Sequence, residues 1–141
     1  LLYILVIMEQ QIREQMESVF WDLVDADPPN LTHIGAMLDE IKQMLYSFVP
    51  RRVDIHHRIN DDMDGDIDWD FQHKLLGWAE KFQAPIYDQM TSSWKKRLPE
   101  KLSDFLKKYY EHLEKISKSI YDYNKKPTGK NGVPDDIKSG R

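Results

Sequence analysis

The chain has 141 residues and a hydrophobic content of 40%, and its aromatic residues are four Trp, seven Tyr and five Phe. This composition predicts one globular domain with a core and excludes a mainly disordered chain. There is no cysteine, which excludes disulfides and thiolate metal sites. The net charge of −4 is uneven, with 7 basic and 17 acidic residues through Trp94 and 13 basic and 7 acidic residues from Lys95. We interpret this as solvated surface; the alternatives are attraction between the two halves or a basic face on the last helix for a partner.

The first eight residues, LLYILVIM, form an apolar leader. The leader is much shorter than the roughly 20 residues of a membrane-spanning helix, and it lacks the basic start and cleavage site of a signal peptide. We therefore expect no membrane span and a cytoplasmic location. We also expect either a natural start at Met8 or a chain that is a fragment. The predicted organisation is a leader over 1–8, a helical domain over 9–123 and a tail over 124–141.

Two helices are predicted before Pro50. Apolar residues at helical spacing mark the first: Ile12, Met16, Val19, Phe20 and Leu23. It should end near Asp25, because Pro28 and Pro29 cannot continue it. Asn30 or Thr32 is expected to cap the second helix. That helix has the longest apolar stripe: Leu31, Ile34, Met37, Leu38, Ile41, Met44, Leu45 and Phe48.

The middle of the chain predicts two more helices. The third has a thinner apolar stripe: Val53, Ile55, Ile59 and Met63. Gly65 suits the C′ position that follows a helix, where a positive φ is favourable. Asp66 or Asp68 is expected to cap the fourth helix. The apolar face of that helix reads Ile67, Phe71, Leu75, Trp78 and Phe82.

Two prolines introduce the last two helices. Pro85 is placed in the first turn of helix five, where Ile86, Met90 and Trp94 share a face. Pro99 opens a long final helix with lysines on its polar face and this apolar stripe: Leu102, Phe105, Leu106, Tyr109, Leu113, Ile116 and Ile120. The polar segment 124–141 predicts a disordered tail. The fold class is therefore all-α, a bundle of about six antiparallel helices.

The acidic stretch NDDMDGDIDWDF raises the question of calcium. Gly65 and Ile67 occupy the sixth and eighth positions of an EF-hand loop. The candidate ligands would be Asn60, Asp62, Asp64, Asp66 and Asp68. The twelfth position, however, is Phe71 where a bidentate glutamate is required, and no second loop is present. We prefer an acidic helix boundary and keep a calcium-responsive switch as the alternative.

Other chemistry finds little support in the residues. There is no nucleophile motif, Gly-rich phosphate loop or H-E-x-x-H pair, so we expect no catalysis and no cofactor. His56, His57 and His73 lie near the acids, but adjacent histidines point to different faces of a helix. We interpret them as surface or cap-adjacent residues, and His33 and His112 as isolated. Lysines mixed with aromatics after Ser92 do not predict nucleic-acid binding, because Tyr109 belongs to the apolar stripe.

A further set of motifs extends along most of the chain: Phe20-Trp21-Asp22, Pro28-Pro29, Glu40-Ile41-Lys42, Leu45, Pro50-Arg51-Arg52, the Asp-rich DMDGDID, Pro85 and Asp88 of QAPIYDQ, and Trp94. Together these motifs resemble the opening of the T-complex protein 11 family. The resemblance runs from about Ile12 to Trp94, while the lysine-rich last helix and the tail match that family poorly. Known members are several hundred residues long, so the chain would be a truncated or compact member.

The resemblance implies a non-catalytic regulatory or adaptor domain that binds proteins in signal transduction, with a family link to cyclic-AMP and protein kinase A pathways. It implies no catalytic residue and no metal. We expect the partner to dock in a groove between helices or on the basic last helix. Trp21 is expected in the core, with an exposed binding residue as the alternative. Asp22 is expected to pair with Arg51 or Arg52.

Overall fold

The computed structural model of the chain describes residues 2–26, 29–32 and 34–124, with side chains from Gln10 onward. The elements are α1 (Leu2–Val24), α2 (Gly35–Phe48), α3 (Val53–Asp62), α4 (Trp69–Phe82), a 3₁₀ turn (Pro85–Tyr87), α5 (Asp88–Lys96) and α6 (Leu102–Asn124). All regular structure in these ranges is helical, so the predicted all-α bundle is confirmed. Pro28, His33 and residues 125–141 of the predicted tail lie outside the described residues.

The core of the bundle lies between α2, α3, α4 and α6. Helix α2 packs against both α6 and α3, α3 packs against α4, and α4 packs against α5 and α6. The stripes predicted for α2, α4 and α6 supply most of the fully buried side chains, which include Ile41, Leu45, Leu75, Phe105, Leu106, Tyr109 and Leu113. Helical periodicity in these segments therefore identified the core correctly.

The turn between α3 and α4 agrees with the predicted cap chemistry. Asp68 is the N-cap of α4, and its Oδ1 accepts a hydrogen bond from the Phe71 amide at 2.9 Å. Gly65 has φ of 107°, a conformation that L side chains rarely adopt. Gly65 was expected at the C′ position of α3. Because Met63 is the C-cap, the C′ residue is Asp64, and Gly65 follows it.

The expected cap of α2 was wrong. Ile34 occupies the N-cap and makes no side-chain cap bond. Asn30 instead accepts a hydrogen bond from the Thr32 amide at 3.1 Å, which forms a local Asx-type turn ahead of the helix.

Helix α1 differs from its prediction in extent and in burial. It begins at Leu2, inside the predicted leader. Its predicted apolar face is exposed at Ile12, Met16, Val19 and Leu23, because only the last turns of α1 reach α6. The contacts with the bundle are made by other side chains: Phe20, Trp21 and Val24.

The carboxylate of Asp25 fixes the end of α1 to the start of α6. It accepts hydrogen bonds from the Ser103 amide at 3.2 Å and from the Ser103 hydroxyl at 2.5 Å. Ser103 lies in the first turn of α6, where backbone amides have no partner within the helix. Asp25 therefore acts as a cap supplied by another helix.

Helix α5 also packs differently from its prediction. Thr91 is fully buried, whereas Ile86 and Met90 are exposed. Trp94 is half-buried against the core, with its ring centroid 5.5 Å from that of Phe105. The face predicted from apolar residues alone thus lies partly in solvent, and a threonine takes its place.

Candidate functional site

A groove of about 640 Å³ lies between α5 and α6, and we call it the α5–α6 groove. Its apolar lining consists of Met90, Trp94, Leu98 and Pro99. Its rim carries three basic and two acidic residues: Arg97, Lys108, Lys115, Glu100 and Glu111. A concave apolar surface with a few polar groups is the usual form of a binding site.

Trp94 is the largest residue of the groove. Its indole packs against Phe105 and Tyr109, whose ring centroids are 5.5 and 6.4 Å away. The indole N–H is buried and has no hydrogen-bond partner. Buried donors in folded proteins are almost always paired, so the unpaired N–H of Trp94 is an exception.

A polar network lies beneath the groove and fixes the side chain of His112. The Gln83 amide nitrogen donates to Asp88 Oδ1 at 2.8 Å and to Thr91 Oγ1 at 2.9 Å. Since both amide hydrogens are used in this way, Gln83 Oε1 is the acceptor for His112 Nε2–H at 2.8 Å. The proton of neutral His112 is therefore on Nε2, and its buried Nδ1 presents a lone pair with no partner.

The charge of His112 follows from its surroundings. Burial, together with the smaller effect of the nearby ammonium group of Lys115, lowers the pKa of His112 from 6.5 to about 4. At neutral pH the imidazole is thus uncharged. The Trp94 N–H and the His112 Nδ1 are thus an unpaired donor and an unpaired acceptor, both buried, in residues that line the groove.

The family-pattern residues of α1 lie away from this groove. Trp21 is half-buried, with its ring 4.8 Å from that of Phe20 and the Lys107 ammonium 5.0 Å from its centroid. The expected core position of Trp21 is thus only partly correct. Asp22 lines a second groove, of about 420 Å³, beside Lys101 and Lys107. The same groove is lined by four further acids, so its charge is mixed: Glu14, Glu17, Asp25 and Asp104.

The expected pairing of Asp22 with Arg51 or Arg52 is wrong. Arg52 forms a two-bond pair with Asp54, with both N···O distances 3.1 Å. Among the described residues, no ion pair joins Asp22 to either arginine. The reason is geometric, because α1 packs mainly against α6, whereas the two arginines directly precede α3.

The remaining family-pattern residues are dispersed over the surface. Lys42 donates to Asn60 Oδ1 at 2.8 Å and so links α2 to α3. Five others are exposed: Pro29, Glu40, Pro50, Arg51 and Pro85. Two residues of the pattern belong to the same region, because Trp94 lines the α5–α6 groove and Asp88 belongs to the network beneath it.

The acidic stretch does not form an EF-hand loop in this conformation. Asn60 and Asp62 lie within α3, and their side chains accept hydrogen bonds from Lys42 and from the Trp78 indole, each at 2.8 Å. Asp68 caps α4, and Asp64 and Asp66 are exposed. In the described part of the chain, no three His, Asp or Glu side chains are placed to hold a metal ion.

Two histidines contact helix ends, as the cap-adjacent interpretation predicts. His56 Nε2 lies 2.8 Å from the Val49 carbonyl after α2, and His73 Nε2 lies 2.9 Å from the Lys95 carbonyl near the end of α5. Sequence reasoning missed the buried role of His112. The signal was available, because His112 falls between Tyr109 and Ile116 at steps of three and four on the apolar face of α6.

The polar surface of α6 was predicted to be lysine-rich, and this prediction was wrong. The helix carries four lysines, but it carries four acids as well: Asp104, Glu111, Glu114 and Asp122. The positive excess after Lys95 therefore comes from the segment before α6 and from residues beyond Asn124. The polar surface of the helix is mixed rather than basic.

Comparisons with protein families, with curated proteins and with solved structures find no match to this chain. Among the helices that the structure describes, none has an apolar stretch long enough to cross a membrane.

Proposed function

We propose that the chain is a non-catalytic regulatory or adaptor domain that binds a partner protein in the α5–α6 groove. The observation that supports this proposal most directly is the position of Trp94. Its half-buried indole supplies a large apolar surface to the lining of the groove. Tryptophans in such positions are frequent energetic centres of protein interfaces.

The dimensions and chemistry of the groove suit one amphipathic helix of a partner. Apolar side chains one turn apart on such a helix would pack against Met90, Trp94 and Leu98. The mixed rim can pair with polar residues of either sign, with Arg97, Lys108 and Lys115 giving a modest preference for acidic ones. Apolar packing would thus supply most of the affinity, and the rim charges would set the orientation.

The T-complex protein 11 resemblance suggests where this binding operates. It favours cytoplasmic signal transduction and the cyclic-AMP and protein kinase A pathways. Trp94 and Asp88 belong both to the motifs that carry the resemblance and to the groove or its supporting network. The subunits of protein kinase A are therefore the first partners to test.

The test compares two substitutions on neighbouring turns. Met90→Glu places a charge in the groove, whereas Ile86→Glu places the same charge at an 83% exposed position that does not line it. We expect Met90→Glu to weaken binding of protein kinase A subunits, or of partners identified by affinity purification, by tenfold or more, about 1.4 kcal/mol. Ile86→Glu should bind like the wild type. Equal binding by all three proteins would refute the proposal.

A further inference from the structure

Helix α1 carries an exposed apolar face, which we call the α1 stripe: Ile12, Met16, Val19 and Leu23. Their exposed fractions are 56, 68, 59 and 36%. Val24, which packs into the bundle, lies roughly 100° around the helix from the stripe. The stripe is thus a separate face, and such exposed apolar rows mark interaction surfaces.

We propose that the α1 stripe is the interface between two copies of this chain, whose α1 helices pair antiparallel. The spacing of the stripe is four, three and four residues, which is symmetric about the midpoint between Glu17 and Ser18. An antiparallel second copy therefore places Ile12 opposite Leu23 and Met16 opposite Val19. The alternation of steps of three and four is the spacing of a short coiled-coil seam.

The residues beside the stripe favour this register. With Met16 opposite Val19, Gln15 lies across from Asp22 of the second copy, and Arg13 lies across from the ring of Phe20. The Gln15 amide can donate to the carboxylate, and the guanidinium can stack on the ring. A shift by one heptad would instead place Arg13 against Arg13, which is unfavourable.

The attachment of α1 to the bundle favours the antiparallel orientation. Only the last turns of α1, with Phe20 and Val24, pack against α6. An antiparallel pair thus attaches the two bundles at opposite ends of the seam, whereas a parallel pair attaches them at the same end. A two-fold pairing of this kind is closed, since each copy uses the same surface.

The chain's own segment 125–141 is a poor alternative cover for the stripe. Its large apolar residues are Val133 and Ile137, too few to match the four side chains of the stripe. The α5–α6 groove lies on other helices, so the proposal is independent of partner binding there. A second copy is the occupant whose residues match the stripe position by position.

The chain has no cysteine, which makes disulfide cross-linking a direct test. Met16→Cys and Val19→Cys chains of the full 141 residues are mixed in equal amounts and oxidised mildly. We expect a cross-linked product that joins Met16→Cys to Val19→Cys, with little product from either variant alone. Cross-links within a single variant would instead indicate parallel pairing and would overturn the antiparallel proposal.

Light scattering during size exclusion gives an independent readout. The wild type is expected to approach twice the chain mass of 16.8 kDa as its concentration rises, whereas Met16→Glu should remain at the monomer mass. Gln11→Glu is the matched control, since Gln11 is exposed and lies off the stripe, and it should associate like the wild type. A monomeric wild type at about 100 µM would overturn the proposal, as would association by Met16→Glu. Far-UV circular dichroism establishes that each variant is folded.

Discussion

Protonation of His112 is expected to destabilise the folded chain, because of the surroundings of its imidazole ring. In the neutral state Nε2–H donates to Gln83 Oε1, and Nδ1 is buried without a partner. A second proton would add a buried charge near Lys115. These two effects, burial first, lower the pKa of His112 in the folded protein to about 4 from 6.5.

The sign and size of the effect follow from proton linkage. Between pH 6.5 and 4 the unfolded chain binds a proton at this histidine and the folded chain does not, so stability falls as the pH falls. A difference of about 2.5 pKa units corresponds to about 3 kcal/mol in total. Some 2 kcal/mol of this should already be lost at about pH 5.

The assay is urea denaturation of the wild type and of His112→Gln at several pH values from neutral to about 4.5. Glutamine keeps a donor for Gln83 and does not titrate, so all other groups cancel in the difference between the two proteins. That difference should shrink by about 2 kcal/mol between neutral pH and about pH 5. His57→Gln, at an exposed position, is the matched control for the replacement of a histidine by glutamine.

A difference between the wild type and His112→Gln that stays constant with pH would refute the reasoning. It would mean that His112 titrates alike in the folded and unfolded chains. Such a result would also contradict the assignment of an uncharged imidazole beneath the α5–α6 groove.

The other predictions concern single hydrogen bonds and calcium. Asp25→Ala should cost about 1 kcal/mol in urea denaturation, because the first turn of α6 loses its cap, whereas Asp22→Ala should be nearly neutral. Tyr109→Phe should cost about 1 kcal/mol, because the buried hydroxyl donates to the Leu75 carbonyl, and an unchanged midpoint would show that this bond contributes nothing. Melting temperatures in excess calcium and in chelator should be identical, because Asn60, Asp62 and Asp68 already have partners within the bundle. A calcium-dependent rise of several degrees in the melting temperature, abolished by combining Asp62→Ala with Asp64→Ala, would instead support the calcium-responsive switch.

Sequence reasoning succeeded where local signals and tertiary packing agree. The stripes of α2, α4 and α6 each face the core, so helical periodicity identified both the helices and most of their buried residues. Asp68 could be identified as a cap because an acid before an apolar helix satisfies backbone amides that have no other local partner. These features depend on residues within one or two helical turns.

The same reasoning failed where burial depends on distant elements. Ile12 and Met16 have the spacing of a core face, but periodicity does not say whether another helix lies close enough to cover that face. Thr91 and His112 are buried because Gln83, from the end of α4, completes their hydrogen bonds. Such partners are far apart in sequence, so the network beneath the groove could not be predicted from local patterns.

The packing of α2 against α6 has a consequence for synthesis on the ribosome. Helices α3, α4 and α5 all lie between these two in the sequence, yet α2 and α6 pack directly together. Closing so long a segment costs chain entropy that is recovered only when both helices are present. A nascent chain that ends before α6 would therefore lack one of the two helices that pack against α2, and folding should be completed only after α6 has emerged from the exit tunnel.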